Sequence, residues 1–164
     1  MIRNSLSMVA VFACLAVPTG ALAQVRAFGA GFDGWVFTAT TEKPGIVNCR
    51  ATRRVGGRDD IIAMRNDHKP YLSVKADGRR GKWPGSFAYV PGKPRGVSEW
   101  KVDAEANAVR LWLPIEAGAV GLIAAAGVYE ISLADTEDTI RVPLGRRAAE
   151  AWARVNQCVL ANGG

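Results

Sequence analysis

Between Ile46 and Val55 the chain runs IVNCRATRRV, and alternate positions separate by polarity. Val47, Cys49, Ala51 and Val55 fall on one side, Asn48, Arg50, Thr52 and Arg54 on the other, and Arg53 interrupts the apolar row near its end. Period-two alternation is the mark of a strand with one buried face. GWVFTATT, residues 34–41, predicts a strand before it. Gly56-Gly57 predicts a turn after it, and residues 61–65 and 71–75 predict two more strands around the turn-like NDHKP. The pattern is a meander.

Strand character resumes at residues 97–102 and 108–113, separated by a polar turn, DAEAN, with Val109, Leu111 and Leu113 expected to face inward. IEAGAVGLIAAA, residues 115–126, reads as a small-residue helix or a buried strand, because its two glycines weaken either element. A short helix is favoured. Residues 128–134 and 139–144 pair across DTED as a hairpin, Tyr129, Ile131 and Leu133 matching Ile140, Val142 and Leu144.

The clearest element is the last. Ala148, Trp152, Val155 and Val159 recur at the spacing of a helical stripe lying on a core, with Arg146, Glu150 and Arg154 on the opposite side. Cys158 flanks that stripe and Cys49 points inward from its own strand, so the two readings converge on a disulfide between an early strand and the C-terminal helix. The expected fold class is α+β: a mainly antiparallel β-sheet or sandwich with a disulfide-clamped C-terminal amphipathic helix.

The N-terminus changes the setting. MIRN, an apolar run and Ala21-Leu22-Ala23 before Gln24 form a secretory signal peptide over residues 1–23. Its apolar core is too short and too broken by Pro18-Thr19-Gly20 for a membrane span, and no later segment is long enough. A rival reading takes Val11 to Cys14 as a lipobox. Residues 24–164 then form a single secreted β-rich domain, keeping only Cys49 and Cys158, as an oxidising compartment favours. The balance of 21 Lys+Arg against 15 Asp+Glu makes the chain basic. In an exported protein, basic charge points away from nucleic acid and towards lipid head groups, envelope polysaccharides or acidic proteins. The expected location is periplasmic or secreted.

Catalytic patterns are sparse. His68 is the only histidine, it sits in NDHKP as a surface loop residue, and no serine lies in a G-x-S-x-G context. Asp59, Asp60, Asp67 and His68 form the best candidate for a metal site, but no Cys/His pair of zinc spacing accompanies them. Asp103-x-Glu105-x-Asn107 resembles the start of a calcium loop without its glycine and terminal glutamate. Both read as solvated turns. No glycine-rich nucleotide loop is present, and no cofactor and no metal is expected.

GRRGKWPGSFAYVPGKPRG, residues 78–96, holds five cations, three aromatics and three prolines with no acid. It predicts a loop, a short strand carrying Phe87 and Tyr89 on one side, and a second loop. One reading has Arg79, Arg80, Lys82, Lys93 and Arg95 meeting an anionic ligand while Trp83 stacks or wedges. The other has Phe87 and Tyr89 filling the core while the cations are solvated. A second basic hairpin, Arg50, Arg53, Arg54 and Arg58, would enlarge the patch if the fold brought the two together.

GWVF, NCRA around Cys49, the run YEISLADTEDTIRVPLGRRAAEAWARVNQCV and the closing Cys158 resemble the invasion-associated locus B family of small secreted alphaproteobacterial proteins. The resemblance covers most of residues 24–164. The chain departs from that family's richer cysteine pattern and has no glycine in its LADTEDTI hairpin. What the resemblance implies is a β-rich exported envelope protein; no catalytic residue carries over. The functional expectation is a non-catalytic envelope-binding or accessory protein that contacts an anionic envelope component or a protein partner through the basic and aromatic loop. The alternative is an inhibitor of a periplasmic or secreted hydrolase.

Overall fold

The computed structural model describes residues 23–164, so the expected signal peptide and the lipobox at Cys14 lie outside the described residues, Ala23 apart. The chain forms β1 (Gln24–Ala27), β2 (Trp35–Lys43), β3 (Ile46–Val55), β4 (Arg58–Arg65), β5 (Pro70–Lys75), β6 (Arg80–Tyr89), α1 (Arg95–Ser98), β7 (Glu99–Asn107), β8 (Arg110–Pro114), α2 (Ala117–Ala126), β9 (Val128–Ser132), β10 (Thr139–Pro143) and α3 (Ala148–Ala161). All pairings are antiparallel and join one ten-stranded sheet in the order β1-β2-β3-β4-β5-β8-β7-β6-β9-β10. One continuous sheet therefore replaces the sandwich alternative. Its twist carries the far strands round, until Arg53 of β3 donates to the Pro143 carbonyl of β10 at 2.8 Å and Arg58 of β4 reaches the Arg141 carbonyl at 3.5 Å.

Helix α3 packs on β2, β3 and β4, and α2 packs on β5, β9 and α3. The inward residues of the strands, among them Phe37, Cys49, Ile62, Leu72, Leu111 and Ile131, close on the two helices as one core. Burying such side chains contributes roughly 1.5–3 kcal/mol each. In α3 the expected stripe is present: Ala148, Val155 and Val159 are buried and Trp152 is partly buried, joined by Ala151 and Cys158. Cys158 is bonded to Cys49 of β3, as their facing predicts. No helix among the described residues is long and apolar enough to cross a membrane.

Several sequence expectations need correction. Residues 95–98 form the single turn α1 rather than the start of a strand, and Val97 is exposed. DAEAN is the end of β7, not a turn: Ala104 and Ala106 are buried while Asp103, Glu105 and Asn107 point out. Small inward alanines conceal this strand, because alanine carries little apolar signal. Val55 is exposed at the end of β3, Val109 is exposed in the bend between β7 and β8, and Asn48, on the outward row, is buried. Strand β1, pairing with β2, was not anticipated.

Where the curled sheet closes, Asp60 is buried beside Arg58, 3.4 Å away. Burial outweighs the neighbouring arginines and raises its pKa above the ordinary 3.8. The folded chain thus binds this proton more tightly than the unfolded chain. The resulting stability is complete below the ordinary carboxyl range and is lost as pH rises through the raised value. Asp60→Asn, which does not titrate, should therefore gain stability relative to the parent from acid to neutral pH. Urea midpoints across that range test this, and a difference that stays flat with pH rejects it.

Candidate functional site on the outward sheet face

The six residues expected to bind a ligand do not form one surface. Arg79, Arg80, Lys82 and Trp83 lie at the start of β6, Lys93 and Arg95 beyond its end. Ten extended residues span about 30 Å. Arg79 pairs with Asp138 at 3.1 Å, Lys82 with Glu105 at 3.5 Å and Arg95 with Glu99 at 3.9 Å, while the Arg95 guanidinium sits 5.5 Å from the centre of the Tyr89 ring. The expected loop, short strand and loop is one long strand with a bulge at Pro84-Gly85, where Gly85 takes φ +80. The extra residue puts Trp83 on the inward row with Ser86 and Ala88. Phe87 and Tyr89 share a side as predicted, but it is the outward one, and Ser86, Ala88 and Val90 fill the core instead.

The acidic candidates also separate. Asp60 is buried on the inward face and its neighbour Asp59 is exposed on the outward face, while Asp67 and His68 lie in the turn past the other end of β4. His68 is exposed, as expected, in a left-handed conformation at φ 59. Asp103, Glu105 and Asn107 alternate along β7 with their side chains outward.

The outward face of β3, β4, β5 and β8 assembles a different group of residues. In register across it lie Asn48 and Arg50 of β3, Arg65 and Ala63 of β4, Tyr71 of β5, and Pro114 and Trp112 of β8. Tyr71 is paired with Ala63, yet its hydroxyl accepts hydrogen bonds from Asn48 Nδ2 at 2.8 Å and Arg50 Nη2 at 3.2 Å, two strands away. The phenol ring therefore lies flat across β4, and Ala63, although outward, is 0% exposed. A larger residue at 63 would lift the ring off the sheet.

Around this ring the polar groups are held in place. Asn48 Nδ2 also donates to Glu42 Oε1 at 2.7 Å. Arg65 donates to Asp67 at 2.8 Å, Lys69 lies 3.5 Å from the same carboxylate, and Arg65 Nε is 3.9 Å from Glu42, beyond hydrogen-bonding distance. Arg50 has no carboxylate within ion-pairing distance among the described residues. The buried atoms Asn48 Oδ1, Arg50 Nε and Arg65 Nε have no hydrogen-bond partner in the protein. Glu42, Arg50, Arg65, Lys69, Tyr71 and Trp112 line an open pocket of about 450 Å³ here. Arg50 was singled out from the sequence, but Tyr71, Trp112 and Arg65 were not. Only the strand register shows them to be neighbours.

A second pocket, of about 490 Å³, lies between α1 and α2, lined by Val90, Val97, Leu122 and Ala125, with Lys93 as its only charged residue. It is an apolar groove without convergent polar groups. No protein-family model matches the chain, and no curated protein or solved structure matches it.

Proposed function

We propose that this chain is an exported, non-catalytic binding protein that holds an anionic ligand on the outward sheet face around Arg50. The observation that carries this is the Arg50 guanidinium, held beside a flat aromatic ring at the pocket with no carboxylate within ion-pairing distance among the described residues. Guanidinium forks match carboxylate and phosphate oxygens, and positioned polar groups within a partly apolar pocket are the usual make-up of a ligand site. The Cys49–Cys158 disulfide supports an extracytoplasmic location, periplasmic or secreted, because such bonds persist in oxidising compartments.

Two surfaces now compete, the Arg50 pocket and the start of β6. Binding of the full chain to polygalacturonate and to polyphosphate at about 0.15 M salt, where charges are screened beyond about 8 Å, distinguishes them. Arg50→Ala should weaken binding about ten- to a hundredfold, following the roughly 1.5–3 kcal/mol of a hydrogen bond to a charged group. The triple variant Arg79→Gln, Arg80→Gln, Lys82→Gln, which removes these charges without reversing them, should bind within about threefold of the parent, its charges lying on another part of the sheet beyond the screening distance. The opposite ranking moves the site to the start of β6 and rejects the Arg50 pocket.

A further inference from the structure

Resting on that reading, the geometry points to an acidic saccharide, a sugar chain bearing carboxylates, as the class of ligand the Arg50 pocket takes. Three features of the pocket select it over other anions.

The first is the charge count. Arg65 and Lys69 are already engaged with Asp67, and Arg65 also lies 3.9 Å from Glu42, which leaves Arg50 as the unpaired cation of the pocket. One free guanidinium suits one carboxylate per ligand unit, which it grips in a bidentate fork. A phosphate chain also carries one negative charge per unit, but its units are shorter, so it would set more charge per length against the Glu42 carboxylate, where like charges repel.

The second is the mixture of donors and acceptors. Arg50, Arg65 and Lys69 donate only, and Glu42 accepts only. Sugar hydroxyls donate and accept, so a polyol acid can satisfy both kinds of group at once. A phosphodiester or polyphosphate at neutral pH offers acceptors alone and brings no donor to Glu42 Oε2, the oxygen that Asn48 does not bond.

The third is the aromatic floor. The Tyr71 ring lies flat over Ala63, and Trp112 stands on the next strand of the same face, both half-buried at the pocket. An aromatic face carries negative charge density, and the C–H groups on one side of a pyranose ring present the complementary positive edge. Inorganic anions have no such surface. Aromatic floor and guanidinium together therefore read the two halves of a uronic acid, its ring face and its carboxylate.

The test uses the full chain with its disulfide intact, and polygalacturonate, polyphosphate and dextran as probes at equal unit concentration in low salt. Polygalacturonate should bind about tenfold or more tightly than polyphosphate, and dextran, which lacks the carboxylate, more weakly than either. Trp112→Ala should weaken polygalacturonate about tenfold and leave polyphosphate within about twofold, since only the sugar uses the aromatic floor. Should Trp112→Ala fail to fold, as judged by its melting transition, Trp112→Leu serves in its place, and Trp112→Phe should restore most of the affinity. Equal or tighter binding of polyphosphate overturns the saccharide class while the anionic reading stands. If neither anionic polymer binds, both readings fall.

Discussion

Replacing Cys49 and Cys158 together with alanine should lower the unfolding free energy by about 4–5 kcal/mol, the largest single effect expected in this chain. The bond joins residues 109 apart in sequence. Cross-linking a loop of roughly 100 residues removes chain entropy from the unfolded state worth about 4.7 kcal/mol on the loop-closure model. The location matters as much as the length. Cys49 lies in the core-facing row of β3 and Cys158 in the last turns of α3, so the bond secures the C-terminal element to the core. Without it, α3 depends on Ala148, Ala151, Val155 and Val159, all four small or β-branched, and on the partly buried Trp152. Guanidinium unfolding of the parent with and without reductant, beside the double variant, gives the measurement. The reduced parent and the variant should unfold together, well before the oxidised parent. Coincident transitions for oxidised and reduced protein would show that the clamp contributes nothing to stability.

The second large effect is expected at Gly127, which ends α2. Its N–H bonds the carbonyls of Ile123 at 3.0 Å and Ala124 at 3.2 Å, and its own carbonyl accepts from Leu144 at 2.8 Å and Gly145 at 2.9 Å. One residue therefore closes α2, opens β9 and fixes the exit of β10. Gly127 has φ +69, and a Cβ there would lie 2.7 Å from the backbone oxygen of Gly145. The left-handed conformation costs a non-glycine residue roughly 1–2 kcal/mol, and the backbone contact has no flexible side chain through which to relax. Gly127→Ala should thus lose about 2–4 kcal/mol. Gly118→Ala is the control: a Cβ at this position within α2 meets nothing within 4 Å, so it should gain up to about 1 kcal/mol from helix propensity. Similar melting temperatures for the two variants would falsify the account of the α2–β9 junction.

Legibility of the fold varied with the size of the alternating side chains. IVNCRATRRV matched β3 at both ends, because its inward and outward residues differ sharply in polarity. Residues 115–126 did form a helix, α2, although its glycines made the pattern ambiguous. Strand β7 was half missed. Ala104 and Ala106 bury as fully as valine would, but between Asp103, Glu105 and Asn107 they read as a polar turn. In β6 the bulge at Pro84-Gly85 decided between the two readings of Phe87 and Tyr89, since one inserted residue swaps inward for outward beyond it. Phe87 therefore faces out while Ser86 is buried.

The candidate site was less legible still, because its residues come from four strands and meet only through register. Arg50 could be placed on the outward row of its strand from sequence alone. That Tyr71 crosses β4 to reach it depends on Ala63 being small and lying directly between them, a pairing that no local pattern encodes. The basic stretch at residues 78–96 failed as a single patch for the complementary reason. Residues close in sequence but arranged along one strand are spread over its whole length.

The sequence by itself determined the α+β class, the antiparallel meander, the amphipathic terminal helix and the partnership of Cys49 with Cys158. Each of these follows from periodicity, a local property that repeats with the geometry of one element. Only the tertiary structure decided that the strands form one curled sheet, which cations are neutralised, and that Arg50, Tyr71 and Trp112 share a surface. Those depend on which strand lies beside which and on the register between them, and both are set by contacts between residues far apart in the chain.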